Sequence, residues 1–280
     1  MAPNLSLTFK KVPVGMPIAG QDIEVEDIGF DESTSPPSGG IMTENLYCSF
    51  DPYLRGRMRG TANKSYIGGF KEGEPVQSQT MAKVIKSDDP NIQVGSTIVG
   101  ILPVQQYSIL DAETIKGSRI MPLDMENGPK DPRDWLGALG MPGLTAYSSL
   151  YAIGKPKKGE VIFISSAAGA VGQIVGQLAK REGLRVIGSA GSDEKCKLCV
   201  EKLGFDECWN YKKMPATEAL DKYCPDGEVY LLGCGNSLIV FRHRYLLRER
   251  GRRATRRSIG THEQVREDRG LWYDLWIQRR

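Results

Sequence analysis

The chain has 280 residues, 40% of them hydrophobic and 25% charged, which is long enough for two ordinary domains and excludes a disordered or fibrous protein. No run approaches a membrane span, and "MAPNLSLTFKKVPVG" at the N-terminus lacks the apolar core of a signal peptide, so a soluble cytoplasmic protein is expected. The net charge of +3 hides an asymmetry: residues 241–280 hold 12 Arg, no Lys and 5 acids, or +7, which leaves the first 240 residues at −4. Both histidines, His243 and His262, lie in that last stretch.

Residues 1–130 read as β-rich. Short apolar runs, "IEVEDI", "MAKVIKS", "STIVGIL" and "QQYSIL", stand between Gly, Pro, Asp and Ser breaks such as "TSPPSGG", a loop tip, and "KSDDPN". "NGPKDPRDW" marks a change of style. Residues 131–235 then alternate: "LTAYSSLYAIG" predicts a helix and "EVIFIS" a buried strand, followed by a helix over "AVGQIVGQLAKREG" that ends at Gly183. The strands "RVIGSA", "ECWNY" and "EVYLLGC" alternate with helices over "DEKCKLCVEKLG" and "ATEALDKYC". Four strands alternating with helices predict βαβ units and a parallel sheet. The fold class is therefore α/β.

The six cysteines are scattered and read as reduced thiols. Cys196 and Cys199 form the one CxxC. With Val200 and Leu203 they fall at i, i+3, i+4 and i+7, the stripe by which a helix faces a core, and a core role is expected over a redox or zinc role.

The junction "EVIFISSAAGAVGQIVGQLAK" carries the chemistry. A buried strand runs into a small-residue turn and then a helix, with Gly169 and Gly172 spaced as the last two glycines of a dinucleotide fingerprint and Ser166 in the first position. Small residues there let backbone N–H groups approach a pyrophosphate at the positive end of a helix dipole. A tight βα turn without a ligand is the plainer alternative. At the tip of the second strand stand Gly188, Ser189, Ala190 and Gly191, with Lys195 beyond; Asp193 and Glu194 fit as first-turn acids behind a Ser192 N-cap. An NAD site usually places an acid at this tip, so NADPH is the expected cofactor.

"SFDPYLRGRM", "MPGLTAYSSL", "ISSAAGAVGQIVGQLAK", "VIGSAGSDEK" and "GFDECWNYK" together resemble the zinc-independent medium-chain dehydrogenases/reductases, in the branch of prostaglandin reductases, leukotriene hydroxydehydrogenases and alkenal double-bond reductases. The resemblance covers residues 1 to about 230. It implies a GroES-like β domain over 1–130 and a Rossmann-type, doubly wound NADP-binding domain over 131–235, with the active site between them. It also implies hydride transfer from NADPH to the β-carbon of an α,β-unsaturated aldehyde or ketone, a small-molecule enone or enal that includes polyketide-like substrates of secondary metabolism. Gly169, Ala170, Val171 and Gly172 would cradle the pyrophosphate, and Lys195 and Tyr211 would hold the 2′-phosphate. Tyr53 would line the substrate pocket as a hydrogen-bond donor, unless it is simply a packing aromatic. Arg55 and Arg57 read equally as ligand contacts and as salt-bridge residues. Zinc is not expected, because residues 1–240 contain no His and only Cys48 precedes the Rossmann segment.

Beyond "CPDGEVYLL" the family pattern stops. Its distal nicotinamide loops, second tyrosine and returning strands are not legible, which predicts a Rossmann sheet incomplete at the C-terminus, with an exposed edge after the fourth strand. Residues 236–280 read as an Arg-rich, non-homologous tail, of the kind a shifted reading frame or retained intron produces. A basic arm for nucleic acid is the weaker alternative, since no nucleic-acid fold accompanies it and the body is acidic; a helix burying Leu246 and Leu247 is the third. No nucleic-acid or membrane partner is expected, and a homodimer is less expected than in relatives that pair through their last Rossmann strands. A cofactor-binding remnant without catalysis is the alternative to an active reductase.

Overall fold

The structure is a computed structural model that describes residues 2–59, 67–224, 228–233 and 239–244. The chain divides into two compact units, 1–141 and 142–280. Most of the Arg-rich tail, with Leu246 and Leu247, lies outside the described residues.

In the first unit, β1 (Leu5–Phe9) and β2 (Ile23–Asp27) form an antiparallel ribbon. The main sheet comprises β3 (Ile41–Cys48), β4 (Gln77–Ser87), β5 (Thr97–Pro103), β6 (Tyr107–Leu110) and β7 (Met121–Pro122), in the order β6-β3-β4-β5-β7 and antiparallel throughout. Four of the six strands of this unit that exceed two residues coincide with the apolar runs of the sequence; β1 and β3 do not stand out there. Two short helices are also absent from the sequence reading: α1 (Tyr53–Arg57), and α2 (Ala112–Gly117), whose N-cap Asp111 accepts from the Thr114 N–H. Ile41, Ala82, Val84, Ile98, Leu102 and Leu110 form the main core. Asn4, almost wholly buried, ties the ribbon to the sheet: its N–H donates to Asp27 Oδ1 at 2.8 Å, and its side chain exchanges two bonds with the Tyr107 backbone at 3.1 and 2.9 Å. Trp135 and Leu136 pack on Met81 and Val99, so the unit extends past the compositional change near residue 130.

The second unit opens with α3 (Met141–Tyr147), which continues as one π-helical stretch over Ser148–Gly154. Then come β8 (Val161–Ser165), α4 (Ala170–Arg181), β9 (Arg185–Ala190), α5 (Asp193–Glu201), β10 (Glu207–Asn210), α6 (Ala216–Tyr223), β11 (Glu228–Gly233) and β12 (Ile239–Arg244). The sheet order is β10-β9-β8-β11-β12, with the first four strands parallel. This is the Rossmann half-order 3-2-1-4, reversing direction at β8. The fifth strand corrects one expectation. β12 pairs antiparallel with β11, Glu228 opposite Arg244 through Gly233 opposite Ile239, so the described edge after β11 is covered by residues of the Arg-rich stretch. Their backbone N–H and C=O groups can complete a ladder whatever the side chains are.

Close packing sets α4 against this sheet. A Cβ at Gly176 would lie 2.1 Å from the Phe205 ring, and one at Gly188 would lie 2.7 Å from Ala167 Cβ and 3.0 Å from the same ring. Phe205, 3% exposed, is thus wedged between helix and strand by the absence of two side chains. Lys180 and Asp206 pin the helix's C-terminal end at 2.8 Å, and Gly183 follows it at φ +79°, as the C-cap reading expects. The Cys196/Cys199 stripe also faces inward, with one exception. Cys199 is fully buried and Leu203 half-buried, but Val200 is 40% exposed because α5 turns it away.

Gly176→Ala is expected to destabilise the chain by about 1–2 kcal/mol in urea unfolding, since overpacking against Phe205 outweighs the helix-propensity gain. Adding Phe205→Leu should recover part of the loss.

Candidate functional site

β8 delivers the chain to the turn Ser166–Gly169 at the carboxyl edge of the sheet, where the strand order reverses. Ser166 takes φ +52°, the left-handed region that favours glycine, and its carbonyl accepts the Gly169 N–H at 2.8 Å. That places Ser166 at the one position where a dinucleotide fingerprint puts its first glycine for conformational reasons. A Cβ at Gly172 would meet the Ser166 and Ala167 carbonyl oxygens at 2.6 and 2.8 Å, so only glycine lets the helix start this close to the turn. The Ala167 N–H donates to Ser189 O at 2.9 Å and fixes the turn to β9.

Gly169 is the N-cap of α4 and brings no side-chain cap. The first intrahelical bond runs from Gln173 N–H to Gly169 O at 2.9 Å. The N–H groups of Ala170, Val171 and Gly172 precede it and have no partner within the helix. A helix of 12 residues that begins with three such donors, with no acid in its first turn, presents a positive backbone end suited to a phosphate.

Beside the turn, β9 ends at Ala190. Ser192 caps α5, its Oγ accepting from the Lys195 N–H at 3.4 Å, which leaves the exposed Lys195 side chain on the first turn. Tyr211 follows β10, its N–H donating to Ala190 O at 3.2 Å. A Cβ at Gly191 would lie 2.9 Å from the Tyr211 hydroxyl, so the phenol rests over that glycine while its ring stays 43% exposed. The turn and α4 N-terminus thus stand at the ends of adjacent strands with Lys195 and Tyr211. Asp193 opens α5 together with Glu194; it is ion-paired with Lys213 at 2.5 Å and accepts from Asn210 Nδ2 at 2.8 Å, and these two partners lower its pKa.

The described thiols of this unit are buried or half-buried, and the hydrogen bond with Cys208 lowers the pKa of Cys199. Cys208 and Cys199 hydrogen-bond to each other, and that contact with burial pushes the Cys208 thiol up. Burial likewise raises Cys196, and it pushes Cys224 up to about 11.

Tyr53 belongs to the first unit. It stands at the start of α1 and packs with Leu7, Ile23 and Met58 on Phe9, Leu54, Phe70 and Val76. Arg57, the arginine one turn on, is 7% exposed and committed to structure. It donates to Gly68 O at 3.1 Å and to Gln77 O at 3.0 Å, and stacks 4.3 Å over Phe70. Arg55 donates to Gly15 O at 2.6 Å. Backbone carbonyls thus engage both arginines.

One residue in this region has no place in the sequence reading. Asp51 lines a cavity of about 250 Å³ together with Leu7, Ile23, Leu54, Met58 and Arg55, and its Oδ2 is buried with no hydrogen-bond partner. Burial raises its pKa, against a weaker opposing hydrogen bond from Ser49. The only sequence signal was an acid preceding Pro52 inside an otherwise apolar and basic motif.

Comparison with known proteins then places the chain. A model for the N-terminal domain of oxidoreductases matches residues 6–117, and one described as zinc-binding dehydrogenase matches residues 170–263, beyond the compositional boundary near residue 240. The NADP-dependent oxidoreductase RED1 of Cochliobolus heterostrophus is 46% identical over 257 residues, covering 90% of this chain and 71% of its own length. The chain belongs to the zinc-independent medium-chain dehydrogenases/reductases. A 2-alkenal reductase (NADP(+)-dependent) of Nicotiana tabacum is 37% identical over 238 residues, covering 84% and 67% of the two chains. CurA of Vibrio vulnificus in complex with NADPH shares the fold at a TM-score of 0.70 and 34% identity, covering 80% and 62%. The chain thus spans about three fifths to seven tenths of the length of these relatives. Among the described residues, no group of three or more His, Cys, Asp or Glu is placed to hold a metal ion. Among the described residues, no helix is long and apolar enough to cross a membrane.

Asp51 supplies a test. A folded-state pKa above the unfolded value means that its favourable contribution is complete below the ordinary carboxyl range and is lost as pH rises through the raised value. Asp51→Asn should therefore unfold at a higher temperature than the parent at pH 7, with the gap closing towards pH 4 in parallel melting curves.

Proposed function

We propose that this chain is an NADPH-dependent oxidoreductase that reduces the carbon–carbon double bond of α,β-unsaturated aldehydes and ketones. The observation that carries the reading is the uncapped α4 N-terminus behind the Ser166–Gly169 turn, with Lys195 and Tyr211 beside it and Asp193 neutralised. When bound, NADPH supplies the hydride. The chain's own work at the nucleotide is electrostatic: the N–H groups of Ala170, Val171 and Gly172 donate to the pyrophosphate, and Ser166, Gly169 and Gly172 keep the backbone close enough to do so. Lys195 offers a charge-assisted bond and Tyr211 a hydroxyl to the 2′-phosphate. The Tyr53 phenol donates a hydrogen bond to the substrate carbonyl oxygen as negative charge develops there, without having to ionise at neutral pH, and a proton from water then completes the reduction at the α-carbon. The NADP-dependent names of the relatives and the NADPH complex of CurA support the cofactor, and the 2-alkenal reductase supports the substrate class.

The test is a thermal-shift titration of the full chain with NADPH and NADH, followed by NADPH oxidation with a panel of enals and enones. NADPH at 100 times its dissociation constant should stabilise the chain by about 2.7 kcal/mol. Gly172→Ala should abolish the shift, and Lys195→Ala should weaken NADPH about tenfold while leaving NADH nearly unchanged. No shift with either cofactor would overturn the reading. A shift with no turnover of any enal would leave a nucleotide-binding protein in place of a reductase.

A further inference from the structure

Asp193 stands three residues beyond the end of β9, in the region where dinucleotide sites specific for NAD carry the acid that binds the ribose 2′-hydroxyl. A bare carboxylate there would repel a 2′-phosphate. The structure does not leave it bare. Lys213 Nζ lies 2.5 Å from Oδ2, and Asn210 Nδ2 lies 2.8 Å from Oδ1, so both carboxylate oxygens are engaged. Neither partner comes from α5. Asn210 is the last residue of β10, and Lys213 is held beyond it by a turn in which Lys212 N–H donates to Asn210 Oδ1 at 3.1 Å and Lys213 N–H to Asn210 O at 2.9 Å. Tyr211 lies between the two in sequence, so the same turn that presents the phenol over Gly191 also delivers the clamp. Asp193 and Lys213 remain 52% and 68% exposed, which makes the pair a poor source of stability. A four-residue turn that satisfies both oxygens of an exposed acid therefore has its effect on the local charge.

We propose that Lys213, assisted by Asn210, is a positioning residue for cofactor specificity: it holds and neutralises the Asp193 carboxylate and so turns a position suited to NADH into one that admits NADPH. The inference rests on the NADPH reading above. Lys213 acts through Asp193 and is not itself a phosphate ligand, which is a separable claim.

The experiment is a double-mutant cycle in the full chain, with dissociation constants for NADPH and NADH measured by calorimetry at low ionic strength for the parent, Lys213→Ala, Asp193→Asn and the double variant. Lys213→Ala should reduce the preference for NADPH by about fivefold, the scale of one like-charge interaction near the surface. Its melting temperature should stay within about a degree of the parent's, as expected for an exposed pair. With Asp193→Asn already present, the further change on removing Lys213 should fall below about twofold, and Lys213→Arg should restore the parent preference. An equal loss of preference in both backgrounds would show that Lys213 binds the phosphate directly and would overturn the proposal, as would no loss in either. A parent that fails to prefer NADPH would overturn the cofactor reading itself; a parent that prefers it without coupling between Lys213 and Asp193 would overturn only this inference.

Discussion

The second unit depends on how closely α4 can approach the sheet. Gly172 and Gly176 on the helix and Gly188 on β9 are the places where a side chain would collide with the turn carbonyls, with Phe205 or with Ala167. With those side chains absent, Phe205 fills the space between helix and strand, and the helix axis runs back to the carboxyl edge of β8. Interiors packed to this density do not yield by small amounts. The position of the helix N-terminus, and with it three free N–H groups, is therefore a consequence of core packing.

Electrostatics follow from that placement. The helix end is positive by its backbone alone, Lys195 adds a cation, and of the two acids on the first turn of α5, Asp193 and Glu194, the former is tied to Lys213 and Asn210. Most charged residues of the first 240 are acidic in sum, yet this edge is not. Ser166 shows the cost of the arrangement: a serine in the left-handed region costs roughly 1–2 kcal/mol relative to ordinary backbone, and it persists because the turn around it is held by β8, β9 and α4.

The first unit divides its polar groups differently. Its arginines on α1 donate to backbone carbonyls, and Arg57 also stacks on Phe70. Asp51, in the same segment, keeps one buried oxygen without a partner, so the segment combines a hydrogen-bonded cation with an acid that has an unpaired buried oxygen. Tyr53 stands between them at the start of α1.

The α/β alternation, the parallel strands β8 to β11, the glycine turn and the Ser192 cap were all legible from the amino acids, because each is set by periodicity or by residues within about four positions of one another. So was the family, through five local motifs. What the amino acids alone left open depended on partners distant in the chain. Whether Arg55 and Arg57 face ligands was decided by carbonyls at Gly15, Gly68 and Gln77. That Val200 leaves the core stripe was decided by how α5 lies on β9 and β10. The pairing of Asp193 with Lys213, twenty positions on, and the antiparallel closure of β11 by β12 are likewise matters of tertiary register, since a backbone ladder or a salt bridge carries no local sequence signature until the fold brings its two halves together.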